Sequence, residues 1–295
     1  MSIFARPTVI SNTVLSFEKA MLLKHIREVT DLPVPNVHLI SIIRLMRDEN
    51  VKIPVLVAAI QRDQALVAKM LKLVNSGLYS LKTKIETVDM AVSLLGLSKV
   101  KQIVYSASVM DLFSDEEKAE WDHAYSSSVL MDNILKDNEL EVNKALPLAM
   151  LLHDIGKVVL RRFSPQKYKM AKLMAKNEKK QLFLVEESML QISHAEAGSV
   201  LMEKWEMDSD IILPVMYHHM DGVPPDYIVE TALIQLVNWV DNSARDQLCQ
   251  QPSKALLEKA GFDALDKLSY VNYQRQLIAK LNEADEKLKK AATSR

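Results

Sequence analysis

Leu146-Pro-Leu-Ala-Met-Leu-Leu-His-Asp-Ile-Gly-Lys-Val-Val-Leu-Arg-Arg-Phe163 is the stretch around which the chain is organised. Almost every residue from Leu148 to Leu160 is apolar, the exceptions being His153, Asp154 and Lys157. The pattern predicts one helix over 146–163, buried on all sides. An uncompensated carboxylate in such surroundings costs several kcal/mol, roughly the penalty of an unpaired buried charge. A metal ion or a cationic partner removes that penalty. Adjacent His and Asp project about 100° apart on a helix, and Lys157 lies one turn beyond His153. One metal could take both His153 and Asp154 and leave Lys157 to meet an anion. The alternative is a core histidine hydrogen-bonded to its neighbours, with Lys157 as a structural ion-pair partner of Asp154. The rest of the chain has to decide between them.

The 295 residues are enough for one large or two medium domains with a substantial core. A formal net charge of -1 gives no pull of the whole molecule towards nucleic acid or anionic lipid. Cys249 is the single cysteine, which excludes an intramolecular disulfide and fits a reducing compartment. The first residues lack a signal-peptide pattern, and no apolar run reaches the roughly 18 residues that span a bilayer. A soluble, cytoplasmic protein is therefore expected. Glycines are few and alternating β-branched runs are missing, so the fold class predicted is all-α.

Residues 1–15 read as a lead-in. Ser16 is placed to cap a helix through Val29 with the stripe Phe17, Met21, Leu22 and Ile26. Asn36 is placed to cap a second helix ending near Asp48. Pro54 starts a short helix that stops near Arg62. Val67, Met70, Leu71 and Val74 define a fourth, ended by Asn75-Ser76-Gly77. Thr87 to Leu95 is a fifth, closed by Gly96, and Ser98 is placed to cap a sixth running to Phe113. His25 and His38 are isolated. Residues 16–113 thus read as a helical bundle.

Several motifs in this segment are similar to the HDOD (HD-related output domain) family: Leu32-Pro-Val-Pro, Gln61-Arg-Asp-Gln-Ala-Leu-Val, Leu71-Lys-Leu-Val-Asn-Ser and Ala91-Val-Ser-Leu-Leu-Gly-Leu. With the His-Asp core the resemblance covers roughly residues 22–222. Gln64 departs from it, since the family usually carries Pro there.

Ser114-Asp-Glu-Glu117 is a capping box for a long helix to Asp137, whose inner face holds His123, Ser127, Leu130 and Ile134. Arg161–Lys180 is strongly basic. It reads either as a solvated face or as a positive field for phosphate or an acidic partner. Ser193-His-Ala-Glu196 is a second capping box, and a helix from Asp208 ends in His218-His219. A helix from Tyr227 to Leu248 carries Leu233, Leu236, Val237 and Val240 inward, and Asp241 continues that face. Residues 114–222 read as the site-bearing core and 223–295 as C-terminal helices that pack on it or support a homodimer. Met170, Met174, Met216 and Met220 are expected as core filler, and Cys249 as an ordinary buried thiol.

Five histidines after residue 120 share this half with two inward acids, and imidazole plus carboxylate without thiolate suits Fe, Mn or Zn, one or two ions. The order resembles the HD superfamily of metal-dependent phosphohydrolases. That resemblance implies His123, His153, Asp154 and Asp241 as primary ligands. It further resembles the HD-GYP branch, which implies His194, His218 and His219 as additional metal ligands and Lys157 as a phosphate contact. The Gly-Tyr-Pro signature is missing after His219, so cyclic-di-GMP hydrolysis is not expected.

Two functions follow from the resemblance. In the first the protein is an HDOD-type signal-transduction module that binds metal and acts on signalling proteins in trans, with a phosphorylated or nucleotide-like ligand. In the second it is a metal-dependent phosphohydrolase, with Asp154 and Lys157 in the catalytic machinery.

Overall fold

In this computed structural model the described residues are 17–28, 42, 45, 51–76, 79, 81, 83–114, 117–140, 142, 143, 145–220, 222–247, 249–262 and 267–293. Among them every regular element is helical. In chain order they are α1 (Phe17–Glu28), α2 (Ile53–Gln61), α3 (Gln64–Val74), α4 (Val88–Leu95), α5 (Leu97–Val109), α6 (Lys118–Asp137), α7 (Leu146–Leu152) and α8 (Ile155–Phe163). There follow α9 (Pro165–Glu178), α10 (Leu182–Leu190), α11 (His194–Lys204), α12 (Ser209–Met216), α13 (Ile228–Ala244), α14 (Lys254–Ala260) and α15 (Lys267–Thr293). The cap expected at Ser16, the Leu32-Pro-Val-Pro motif, His38 and most of the helix expected after Asn36 lie outside the described residues; Ile42 and Leu45 within it are helical.

Local chemistry sets most boundaries. Asp63 accepts from the Leu66 amide, Thr87 from Met90 and Ser193 from Glu196, each satisfying an orphan N–H of a first turn. Gly96 ends α4 at φ 80°, a conformation that costs glycine little. It also stands at the start of α5, so Ser98 is not that helix's cap. The box at Ser114 is realised on one side only, where the Ser114 amide donates to the Glu117 carboxylate. The helix of His218-His219 stops at Met216, and both histidines lie in the turn that follows.

Three expectations about burial are corrected. Phe17 and Met21 are exposed, so α1 buries only Leu22 and Ile26 of its stripe. Met170 and Met174 lie on the exposed face of α9, which buries Tyr168, Ala171 and Ala175 instead. Met220 is exposed as well. Part of the basic run is already engaged, with Arg161 and Lys172 both on Glu120 of α6 and Lys180 on Glu178.

One apolar cluster runs from Leu22 to Leu277 and includes α7 almost whole. Two close approaches place the site within it. On α6, Ser126, Ser127 and Ser128 are fully buried, and the Ser128 hydroxyl donates to the Pro147 carbonyl at 2.7 Å, so small side chains let α6 lie against α7. At the second, Gly156 of α8 faces α11: a Cβ there would meet the His194 carbonyl oxygen at 1.9 Å and the Gly198 nitrogen at 2.6 Å. No helix among the described residues is long and apolar enough to cross a membrane.

Candidate metal centre

The stretch 146–163 is not one helix. α7 ends at Leu152, α8 begins at Ile155, and His153-Asp154 form the turn between them, with Asp154 at φ -102° and ψ 5°. The break replaces the simple 100° projection with a corner that turns both side chains into the core. Asp154 stands at the start of α8 but does not cap it, because its carboxylate is engaged elsewhere. Lys157 donates to its Oδ2 at 2.5 Å, and His194 Nε2 lies 3.1 Å from its Oδ1.

Around Asp154 the structure gathers four further imidazoles from three places on the chain. His123 comes from α6, His194 from the first turn of α11, and His218 and His219 from the turn after α12. His123, His153 and Asp154 form one group whose ligand atoms lie within 4.8 Å of each other; His194, His218 and His219 form a second. Side chains nearest the centre are out of solvent, with His153 0%, His218 1%, His194 2% and Asp154 7% exposed. His219 is half-buried and stacked on Phe183 at 4.3 Å between ring centroids.

Each ring is oriented from behind. His153 Nδ1 donates to the Met150 carbonyl at 2.8 Å and His218 Nδ1 to the Val215 carbonyl at 2.5 Å. His123 Nδ1 is 2.6 Å from Asp241 Oδ2, His194 Nδ1 is 2.6 Å from Glu186 Oε2, and His219 Nδ1 is 3.3 Å from Gln250 Oε1. An oxygen acceptor at Nδ1 fixes the proton there and leaves the Nε2 lone pair facing inward. The Nε2 atoms of His123 and His153 are 3.2 Å apart, and those of His194 and His219 2.9 Å. His218 Nε2, buried, has no hydrogen-bond partner among the described residues. Two lone pairs at that distance repel unless a proton or a cation lies between them, so the donor set fits a metal ion. Borderline nitrogen and oxygen donors match Fe, Mn or Zn.

The electrostatics agree with that arrangement. Burial pushes the His153 pKa down to about 4, and burial likewise holds His218 and His219 well below the usual imidazole range. Burial opposes charge on His194 too, but Glu186 and Asp154 together outweigh it and raise its pKa to about 9. Asp154 pays the same desolvation and is nevertheless held well below the usual carboxylate range by His153, Lys157 and His194.

Asp241 occupies a different position from the other acid. Its Oδ2 takes His123 Nδ1 and Arg245 Nε, each at 2.6 Å, and its Oδ1 takes the Ser126 hydroxyl at 2.6 Å and the Gln274 amide. It stands behind His123 and belongs to neither ligand group. Beside His218 and His219 lies a shallow cleft with no room for a water molecule, lined also by Gln235, Asn238, Gln250 and Gln251.

Residues 32–220 match the family model of the HDOD domain, well over half of the chain. The chain belongs to the HDOD family. A Treponema pallidum (strain Nichols) protein, itself uncharacterised, is 27% identical over 207 residues; the match takes in 68% of this chain and 40% of that protein's length. This HDOD chain therefore spans well under half of that curated relative. Among solved structures, an HDOD domain protein of unknown function from Geobacter sulfurreducens superposes with a TM-score of 0.75 at 22% identity, covering 90% of this chain and 98% of that one. A Shewanella amazonensis SB2B protein, provisionally called a phosphohydrolase, gives 0.71 at 16% identity, covering 90% and 98%. At these identities the likeness is one of fold.

Reading the sequence alone did not find Glu186, Ser126, Gln250 or Gln274, which reach the site only through the tertiary fold. Arg245 carried a signal, since it lies one helical turn after Asp241 and forms the i,i+4 ion pair that spacing favours. Cys249 is half-buried, and burial pushes its thiol up to about 12.

Proposed function

We propose that this HDOD protein is a metal-binding signalling module, in which His123, His153, Asp154, His194, His218 and His219 hold one or two Fe, Mn or Zn ions. The observation that carries the reading is the inward convergence of Nε2 atoms whose rings are locked from behind by Asp241, Met150, Glu186 and Val215. Such outer partners orient ligands before a metal arrives. A regulatory role is favoured over turnover by the space available. The cleft beside the paired histidines encloses no room even for a water molecule, against the roughly 300–1,000 Å³ of small-molecule sites, and Lys157 is spent on Asp154.

One feature favours the second reading, hydrolysis of a phosphate ester. Asp154 has one oxygen near His123 and His153 and the other near His194, a placement suited to bridging two ions. A bound metal would there lower the pKa of a water and polarise the phosphoryl group. Metal analysis of the purified protein separates the readings, followed by assay of bis-p-nitrophenyl phosphate with added Mn or Fe. Bound metal without turnover is expected. Turnover lost in Asp154→Asn would establish the hydrolase instead, and a chain that takes up no metal after reconstitution would end both readings.

The proton on His194 gives a second check. In the metal-free protein this ring stays charged up to about pH 9, whereas a metal takes only neutral imidazole. Binding at His194 should release about one proton per ion at pH 7–8, and apparent affinity should rise about tenfold per pH unit towards pH 9. Because the folded pKa is raised, its stabilisation of the metal-free fold is complete below the unfolded value near 6.5 and is lost as pH climbs through about 9. Titration of Zn(II) in weak buffer with a pH indicator measures the release; pH-independent binding would place the ion away from His194.

A further inference from the structure

The HDOD match ends at residue 220, yet part of the scaffold behind the metal-site histidines lies beyond it. α15 packs against both α13, which carries Asp241, and α6, which carries His123. Its buried seam is Val271, Gln274 and Leu277, and at the rim Tyr270 accepts from Asn138, just past the end of α6, and Tyr273 from Asn133 of α6. A glutamine is a costly choice between a valine and a leucine, since buried amides need partners. Gln274 is fully buried, its Nε2 donates to Asp241 Oδ1, and its own Oε1 has no partner among the described residues. An apolar residue would avoid that orphaned oxygen, so packing does not explain the amide.

The connection it makes does. Asp241 is held on four sides, by His123, Arg245, Ser126 and Gln274. Arg245 comes from the end of α13, Ser126 lies on α6 one turn from His123, and only Gln274 comes from a separate C-terminal helix. The arrangement does not fit Asp241 as a primary metal ligand, because both of its oxygens are already occupied by donors. It fits an acid that orients His123.

We infer that α15 is a control element of the metal centre, with Gln274 as a positioning residue that acts through Asp241 on the His123 ring. A shift of α15 along its seam removes one of the four constraints on Asp241 and loosens a ligand without touching the metal. The inference rests on the metal-centre reading above.

The test is Co(II) titration of the full chain, read by visible absorption and by affinity, alongside thermal unfolding of the metal-free protein. Gln274→Leu should lower Co(II) affinity by about 10–100-fold, the usual effect of losing an outer-shell partner, and alter the absorption bands. Its metal-free melting temperature should fall less than that of Leu277→Ala, because removing the orphaned oxygen offsets part of the lost hydrogen bond to the Asp241 carboxylate. Leu277→Ala, which loosens the same seam without touching Asp241, should lower the melting temperature and change the affinity far less. Equal Co(II) affinity and spectra in Gln274→Leu and wild type would overturn the inference, as would an affinity loss in Leu277→Ala matching that of Gln274→Leu. A wild-type chain that binds no Co(II) would instead overturn the metal-centre reading on which the inference stands.

Discussion

Gly156→Ala is expected to cost the protein about 3 kcal/mol or more, the upper end of the range for overpacking. The new methyl group would sit 1.9 Å from the His194 carbonyl oxygen and 2.6 Å from the Gly198 nitrogen, both of them backbone atoms. A side chain could swing away, but a helix backbone can yield only by moving α8 and α11 apart. Those are the helices that carry Asp154 at one end and His194 at the other, 3.1 Å from each other across the centre. The change should therefore lower both stability and metal uptake. For a domain of this size about 3 kcal/mol corresponds to roughly 6–12 °C in melting temperature. Thermal unfolding by circular dichroism with metal analysis of the same sample measures both. An alanine variant with wild-type melting and wild-type metal content would show that the two helices are not fixed at this crossing.

His153→Ala is expected to abolish the response of the protein to metal. His153 is fully buried, its ring is fixed by the Met150 carbonyl, and its Nε2 faces both His123 and Asp154. Loss of a direct ligand should exceed the 10–100-fold typical of outer-shell changes. In the wild type, metal at about 1,000 times its dissociation constant adds about 4 kcal/mol to folding, so a chelator should lower the melting temperature by on the order of 10 °C. In His153→Ala the curves with and without chelator should coincide. A chelator shift that survives intact in the variant would locate the stabilising ion elsewhere, with the group of His194, His218 and His219 as the remaining candidate.

Much of this was legible from residue order. Hydrophobic spacing and the capping box at Ser193 depend on residues within one turn of each other, and the helices of Val67 and of Thr87–Leu95 stand close to where the pattern places them, with Asp63 and Thr87 as their caps. Exposure was harder to read. The periodicity of Phe17 and Met21, or of Met170 and Met174, marks a helix face without saying whether another element covers it. The run from Leu146 to Phe163 carried a deeper ambiguity, since a uniformly apolar stretch fits one long helix as well as two that meet at a corner. The break at His153-Asp154 was decided by the partners of Asp154, which lie on α8 and α11.

By itself the sequence determined an all-helical HDOD chain and the set of imidazoles and acids able to meet in it, because those depend on local periodicity and on which residue types are present. Tertiary structure alone decided that the histidines turn their Nε2 atoms inward in two adjacent groups, that Asp154 stands between them, and that Asp241 stands behind His123. The reason is physical. A ring's direction is set by whatever holds its far nitrogen, and the groups holding these rings include Asp241, 118 positions from His123, and Glu186, which lies on a different helix from His194.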